Sequence, residues 1–205
     1  MKKQLIALLL AGVCVTPSLA QAETTPYVSA NVGLGLAKDT DVTVPLGTLS
    51  DAITFKNGVP FGGAVGVKID DFRFEAALGY QTHSVDTIAG FSADSSDKVS
   101  MFTYMVNAYF DDAYSKESRI IPYIMGGVGG ATINPQGTNL DASSKSVLAW
   151  QLGGGIGVKA SDHIMVDLGY RYLKPSDYTV NNARFGSARY TAAASNILFG
   201  VRYGF

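Results

Sequence analysis

Cysteine is almost absent from this chain of 205 residues: Cys14 stands alone, inside an apolar run near the N-terminus. Loss of that run leaves no thiol, which excludes disulfides and cysteine-ligated zinc. Histidine is nearly as scarce, and the strand layout below puts His83 and His163 at opposite ends, where they share no metal. Long apolar runs are missing too. Past residue 22 nothing approaches the ~20 apolar residues of a membrane-spanning helix, so insertion into a bilayer has to be made by strands. There is no basic field: 16 Lys and Arg face 17 Asp and Glu, and without Lys2 and Lys3 the net charge is −3 with His neutral. Nucleic acid is therefore not an expected partner. Low-complexity tracts are absent, and the 23 glycines are scattered rather than gathered into a linker, which argues for one domain.

The N-terminus carries Lys2 and Lys3, then the apolar run Leu5 to Val15, then Ser18-Leu19-Ala20-Gln21-Ala22 with small residues at Ala20 and Ala22. This is the layout of a cleavable secretory signal. A run of about 11 residues is too short to stay as an anchor. Cleavage is expected after Ala22, with Ala20 as second choice, and Val13 does not match the small residue that a lipoprotein signal places before its cysteine. The division is then a signal peptide, 1–22, and one domain, 23–205.

Within that domain eight segments of about ten residues alternate apolar with small or polar residues, the period of a strand with two unlike faces. The first, Tyr27 to Leu36, puts Val28, Ala30, Val32, Leu34 and Leu36 on one face. The others run Phe61 to Ile69, Phe72 to Gln81, Ser100 to Phe110, Pro122 to Ala131, Val147 to Lys159, Ile164 to Leu173 and Asn196 to Phe205. The pattern is cleanest in Phe72 to Gln81 and weakest in Pro122 to Ala131, where glycines blur it; there Ile124 and Val128 are assigned outward and Tyr123, Met125, Gly127 and Gly129 inward. The connections alternate long and short, which puts both termini and three turns on one side and four longer loops on the other. Aromatics crowd the segment ends, where amphipathic rings suit membrane interfaces. The second face is mostly Gly, Ala and small polar residues rather than the charges a soluble sandwich exposes. The predicted fold class is all-β: an eight-stranded antiparallel up-and-down transmembrane β-barrel in an outer membrane, monomeric and closed because only closure satisfies strand backbones in lipid.

Three stretches carry a family resemblance: Pro122-Tyr123-Ile124 with its glycine tail, Asp167-Leu168-Gly169-Tyr170-Arg171-Tyr172, and Asn196 through Phe205. Over essentially the whole domain the chain resembles the eight-stranded outer-membrane barrels of the OmpA transmembrane-domain, OmpX and opacity-protein type. That fold hosts structural proteins, adhesins and a few enzymes, so it says little about activity. The resemblance implies export through the barrel-assembly machinery, with Phe199, Val201, Tyr203 and Phe205 as the assembly signal, and contact with outer-membrane lipid and lipopolysaccharide. No peptidoglycan-binding segment follows residue 205, and a wall-anchoring role is not expected.

The inward faces hold charges of both signs: Lys68, Arg73, Glu75, Lys159, Asp167, Arg171 and Arg202. An eight-stranded lumen is narrow enough for side chains to fill it, so these residues are expected to form a network that plugs the barrel. A narrow porin-like path for small solutes is the alternative. Enzymology has little to work with. Adjacent residues on a strand face opposite sides, so the His83-Ser84 dipeptide of a lipid-modifying site would need the strand to end there, and the glycine cluster at 153–157 lacks the Lys-Ser/Thr and helix of a phosphate loop. No catalytic residue, metal or cofactor is expected. Recognition is expected instead in the four loops, about 37–58, 84–98, 132–146 and 174–190, where Phe55, Ile88, Phe91 and Phe185 are candidate anchors for a host-surface or phage ligand.

Overall fold

The computed structural model describes residues 24–37, 40–44, 47–55, 57–88, 91–92, 98–112, 118–136, 144–182, 186–191 and 193–205. The expected signal segment with Cys14, and the anchor Phe185, lie outside them. Among the described residues thirteen strands form: β1 (Thr24–Ala37), β2 (Thr40–Val44), β3 (Gly47–Phe55), β4 (Phe61–Ile69), β5 (Phe72–Ile88), β6 (Phe91–Ser92), β7 (Lys98–Asp111), β8 (Ile120–Gln136), β9 (Lys145–Lys159), β10 (Ile164–Pro175), β11 (Tyr178–Asn182), β12 (Gly186–Thr191) and β13 (Ala194–Gly204). Eight of them close a barrel. Each of β4, β5, β7, β8, β9, β10 and β13 pairs antiparallel with its predecessor around the ring, and β1 pairs with both β4 and β13. The seam runs from Tyr27↔Gly204 to Ala37↔Ala194.

The period of two dictates which side is outside. Leu34, Val65, Leu78, Val106, Ile124, Val128, Leu148, Leu168 and Phe199 all point away from the barrel and are exposed, while the buried set includes Arg73, Glu75, Asn107, Asp111 and Gln151. Such a continuous apolar exterior is untenable in water and suits hydrocarbon. Aromatics band both ends. Phe72 packs on Phe110 and Tyr203 on Phe205 at the turn end; Phe61 on Tyr80 and Trp150 on Tyr172 at the other.

Local chemistry sets the turns. Asp70, with φ 51°, takes the left-handed conformation in the two-residue turn between β4 and β5, a place where aspartate is among the few side chains tolerated. Pro122 is not at a strand start, as the sequence suggests, but third in β8. It is accommodated because its carbonyl, and with it the missing N–H, faces Asp112 just past the end of β7.

The strands also outrun the expected segments on the loop side. There β5 continues to Ile88 and β8 to Gln136, and a second sheet in the order β11-β12-β2-β3-β5 stands on the rim. Segments read from sequence as loops are thus partly strand: alternation is weak in them, and pairing across loops fixes what local pattern does not.

Candidate functional site: the lumen and its rim

The lower lumen, toward the turns, is polar. Glu75 on β5 is buried and accepts three hydrogen bonds, from Tyr27 Oη (3.0 Å), Asn107 Nδ2 (2.9 Å) and Tyr109 Oη (2.6 Å). Asn107 in turn accepts from Gln151 Nε2. The register places these groups at one level, since Glu75 lies beside Asn107 and Gly66, Asn107 beside Gly127, and Gly127 beside Gln151. Gly127 must be glycine, because a Cβ there would run into the Asn107 amide.

Arg73 faces Asp111 on the neighbouring strand, with Nη2 to Oδ1 at 2.8 Å and Nε to Oδ1 at 2.9 Å. Its guanidinium also lies 4.1 Å from the Tyr109 ring centre and 5.1 Å from that of Tyr123. Arg202 pairs with Asp167 at 2.9 Å and reaches Asp111 at 3.8 Å, and Lys68 reaches the same Asp111 carboxylate at 3.8 Å. Asp111 is therefore the hub of the cluster. Sequence reasoning missed it by ending the segment at Phe110, although the inward series Met105, Asn107, Tyr109 continues to it.

Two residues expected in this network stand apart. Lys159 is a correction: although inward by parity, it lies at the last position of β9, exposed, and pairs with Asp162 of the next turn at 3.3 Å. At a barrel mouth, parity no longer implies enclosure. Arg171 does sit in the lumen, higher up, and joins none of the ion pairs among the described residues.

The upper lumen is different in kind. Met101, Met105, Ala131, Ile133, Ala149 and Leu173 form a buried apolar cluster there, with Val99 and Val147 against it. This layer roofs the polar floor and leaves small cavities of about 50 and 30 Å³. Such an interior is filled rather than open.

His83 is buried on the outer part of β5, whereas His163 is exposed in the opposite turn, its Nδ1 3.2 Å from the Gly204 carbonyl oxygen. Phe199, Val201, Tyr203 and Phe205 project outward from the last strand and its end. On the rim, Ile88 pairs with Ile53 and Phe91, and Phe55 with Val85. Main-chain pairing of Arg189, Tyr190 and Thr191 with Thr43, Val42 and Asp41 ties the last long loop to the first.

Comparison with known proteins agrees with this architecture. Residues 5–205 match the family described as outer membrane protein beta-barrel domain. The outer membrane protein PagN of Salmonella typhimurium is 33% identical over 127 residues, 53% of this chain; the chain spans about half the length of that relative, 52%. In fold it resembles neisserial surface protein A (TM-score 0.56, 17% identity, covering 88% of this chain and 97% of that one). It also resembles OprG of Pseudomonas aeruginosa (TM-score 0.58, 12% identity, 89% and 98%). With lipid-facing strands, a filled polar lumen and a family match along nearly its whole length, the chain belongs to the outer membrane protein beta-barrel domain family and is an integral protein of the outer membrane.

Proposed function

We propose that this barrel is a non-catalytic surface protein that presents its outer rim for recognition, with structural support of the membrane as the duty of the barrel itself. The observation that carries the reading is the rim sheet β11-β12-β2-β3-β5, in which the first and last long loops pair through their main chains instead of standing alone. A sheet rooted in β5 holds its surface in register with the barrel, and rigidly held loops are where recognition resides. The ligand class is a host surface or a phage. Lipid and lipopolysaccharide contact the apolar wall, and Phe199, Val201, Tyr203 and Phe205 serve as the signal read during assembly. The leader is 1–22, so mass spectrometry of the purified protein is expected to find Glu23 first.

The test replaces residues 38–56 and 177–192 together by short Gly-Ser turns and displays both forms in a non-adherent bacterial host. The trimmed barrel is expected to keep its heat-modifiable gel migration and to lose cell or phage binding at least tenfold. Undiminished binding by a folded, trimmed barrel rules the rim out.

A narrow solute channel is the second reading, favoured by the two lumen cavities. Planar-bilayer recording separates the two. The apolar layer of Met101, Met105, Ile133 and Leu173 above the Arg73–Asp111 pair is expected to leave the folded barrel electrically silent; steady single-channel steps would transfer the function to the lumen.

A further inference from the structure

The two lumen cavities meet at Arg171, which lines both. Their walls differ in charge. The lower cavity is bordered by Glu75 and Asp167 as well as by Arg73 and Arg202, whereas among the described residues that line the upper cavity Arg171 is the single charged one and none is a carboxylate. The rest of the described wall is amides, the hydroxyl residues Tyr80 and Thr103, and apolar side chains such as Leu173.

Two polar groups there lack protein partners. Among the described residues Arg171 makes no ion pair and no hydrogen bond. Gln81 is 4% exposed; its Oε1 accepts from Asn196 Nδ2 at 3.2 Å, and its Nε2 has no acceptor. Asn196 Oδ1 is also unmatched, but it lies toward β1, 3.1 Å from where a Cβ on Gly35 would sit. The surrounding charge has the same sign of excess: among the described residues Lys68, Arg73, Arg171 and Arg202 share the lumen with Glu75, Asp111 and Asp167, and each of these three carboxylates is already occupied.

We propose that the upper cavity, between Arg171 and the Gln81 amide, binds one small monovalent anion of the chloride class. Arg171 is half-buried and has no ion-pair partner among the described residues, and beside it the buried Gln81 amide has an N–H with no acceptor; an anion that takes hydrogen bonds from both satisfies the amide and balances the charge. Size selects the occupant. A water needs about 10–15 Å³ of such volume, so a cavity of about 30 Å³ admits one halide with at most one water, and excludes phosphate or sulfate. The lack of a carboxylate among its described lining residues selects the upper cavity over the lower. This site is independent of what the rim binds; it concerns how the plug balances its charge.

The test is ³⁵Cl line broadening of sodium chloride, exchanged against sodium gluconate at constant ionic strength, with the whole barrel in detergent and its fold checked by gel migration. The wild type is expected to give saturable excess broadening. Arg171→Gln is expected to remove most of it, and Lys159→Gln, a change at an exposed turn cation, to leave it intact. Gln81→Glu supplies a carboxylate beside Arg171 in place of the anion, so it is expected to fold and to lose the broadening even if Arg171→Gln does not fold. Broadening that never saturates, or that persists in folded Gln81→Glu, overturns the proposal, since water then fills the cavity or the chloride lies elsewhere.

Discussion

Replacement of Asp111 by leucine is expected to destabilise the refolded barrel by about 3–5 kcal/mol, the usual cost of leaving one partner of a buried ion pair behind. Asp111 is 2% exposed and accepts from Arg73 Nε at 2.9 Å, with Nη2 2.8 Å away, while Arg202 and Lys68 approach to 3.8 Å. Without the carboxylate, Arg73 keeps its ring contacts with Tyr109 and Tyr123. Cation–π contacts contribute about 0.5–2 kcal/mol each, but they are present in both forms and so offset nothing. Leucine also leaves Lys68 and Arg202 without their shared partner, although Arg202 retains Asp167. The measurement is equilibrium urea unfolding in lipid vesicles, followed by the fluorescence of Trp150, the single tryptophan. Trp150 faces outward on β9, far from the change. The double variant Arg73→Met/Asp111→Leu is expected to recover most of the loss, because an apolar pair of similar volume replaces a buried ion pair at little cost. A single variant that costs under about 1 kcal/mol would mean the lumen is wet enough to solvate Arg73.

The face of each barrel residue was legible because period two is a strong signal: Arg73 and Glu75 must point one way if Phe72 and Phe74 point the other. Which inward residues meet is a different matter. That Arg73 finds Asp111 depends on the β5–β7 register, in which Phe72 pairs with Phe110, and on β7 continuing one residue past the last aromatic. Strand ends are where alternation fades, and the same weakness misplaced Lys159, which parity sends inward but the barrel mouth leaves in solvent. The apolar roof escaped notice for a further reason. Met101, Ile133 and Leu173 lie on the inward face of strands whose outward face is also apolar, so nothing in the local sequence marks them as lumen residues. The rim sheet was least legible of all, because short strands such as β2 and β12 are defined by partners from distant loops.

Arginine at position 168 should cost about 2–4 kcal/mol, the magnitude for a cation on the lipid face at mid-membrane. Leu168 lies on β10 between Ile156 and Phe199, five strand positions from the turn-side neighbour His163, with half its surface exposed to the surroundings. Its neighbours are apolar, so no carboxylate is within reach to pair the guanidinium. Depth is the discriminating variable. Ile164, on the same face of the same strand but opposite Tyr203 at the turn-side aromatic band, is expected to accept arginine for about 0–1 kcal/mol, because there the charge reaches the interface by snorkelling. Urea unfolding of Leu168→Arg and Ile164→Arg in vesicles of one lipid compares them directly. Equally small costs would place Leu168 outside the hydrocarbon layer, and equally large ones would place Ile164 inside it; either shifts the membrane boundary along β10. A large cost at 168 with little at 164 fixes the turn-side boundary of the hydrocarbon layer between them.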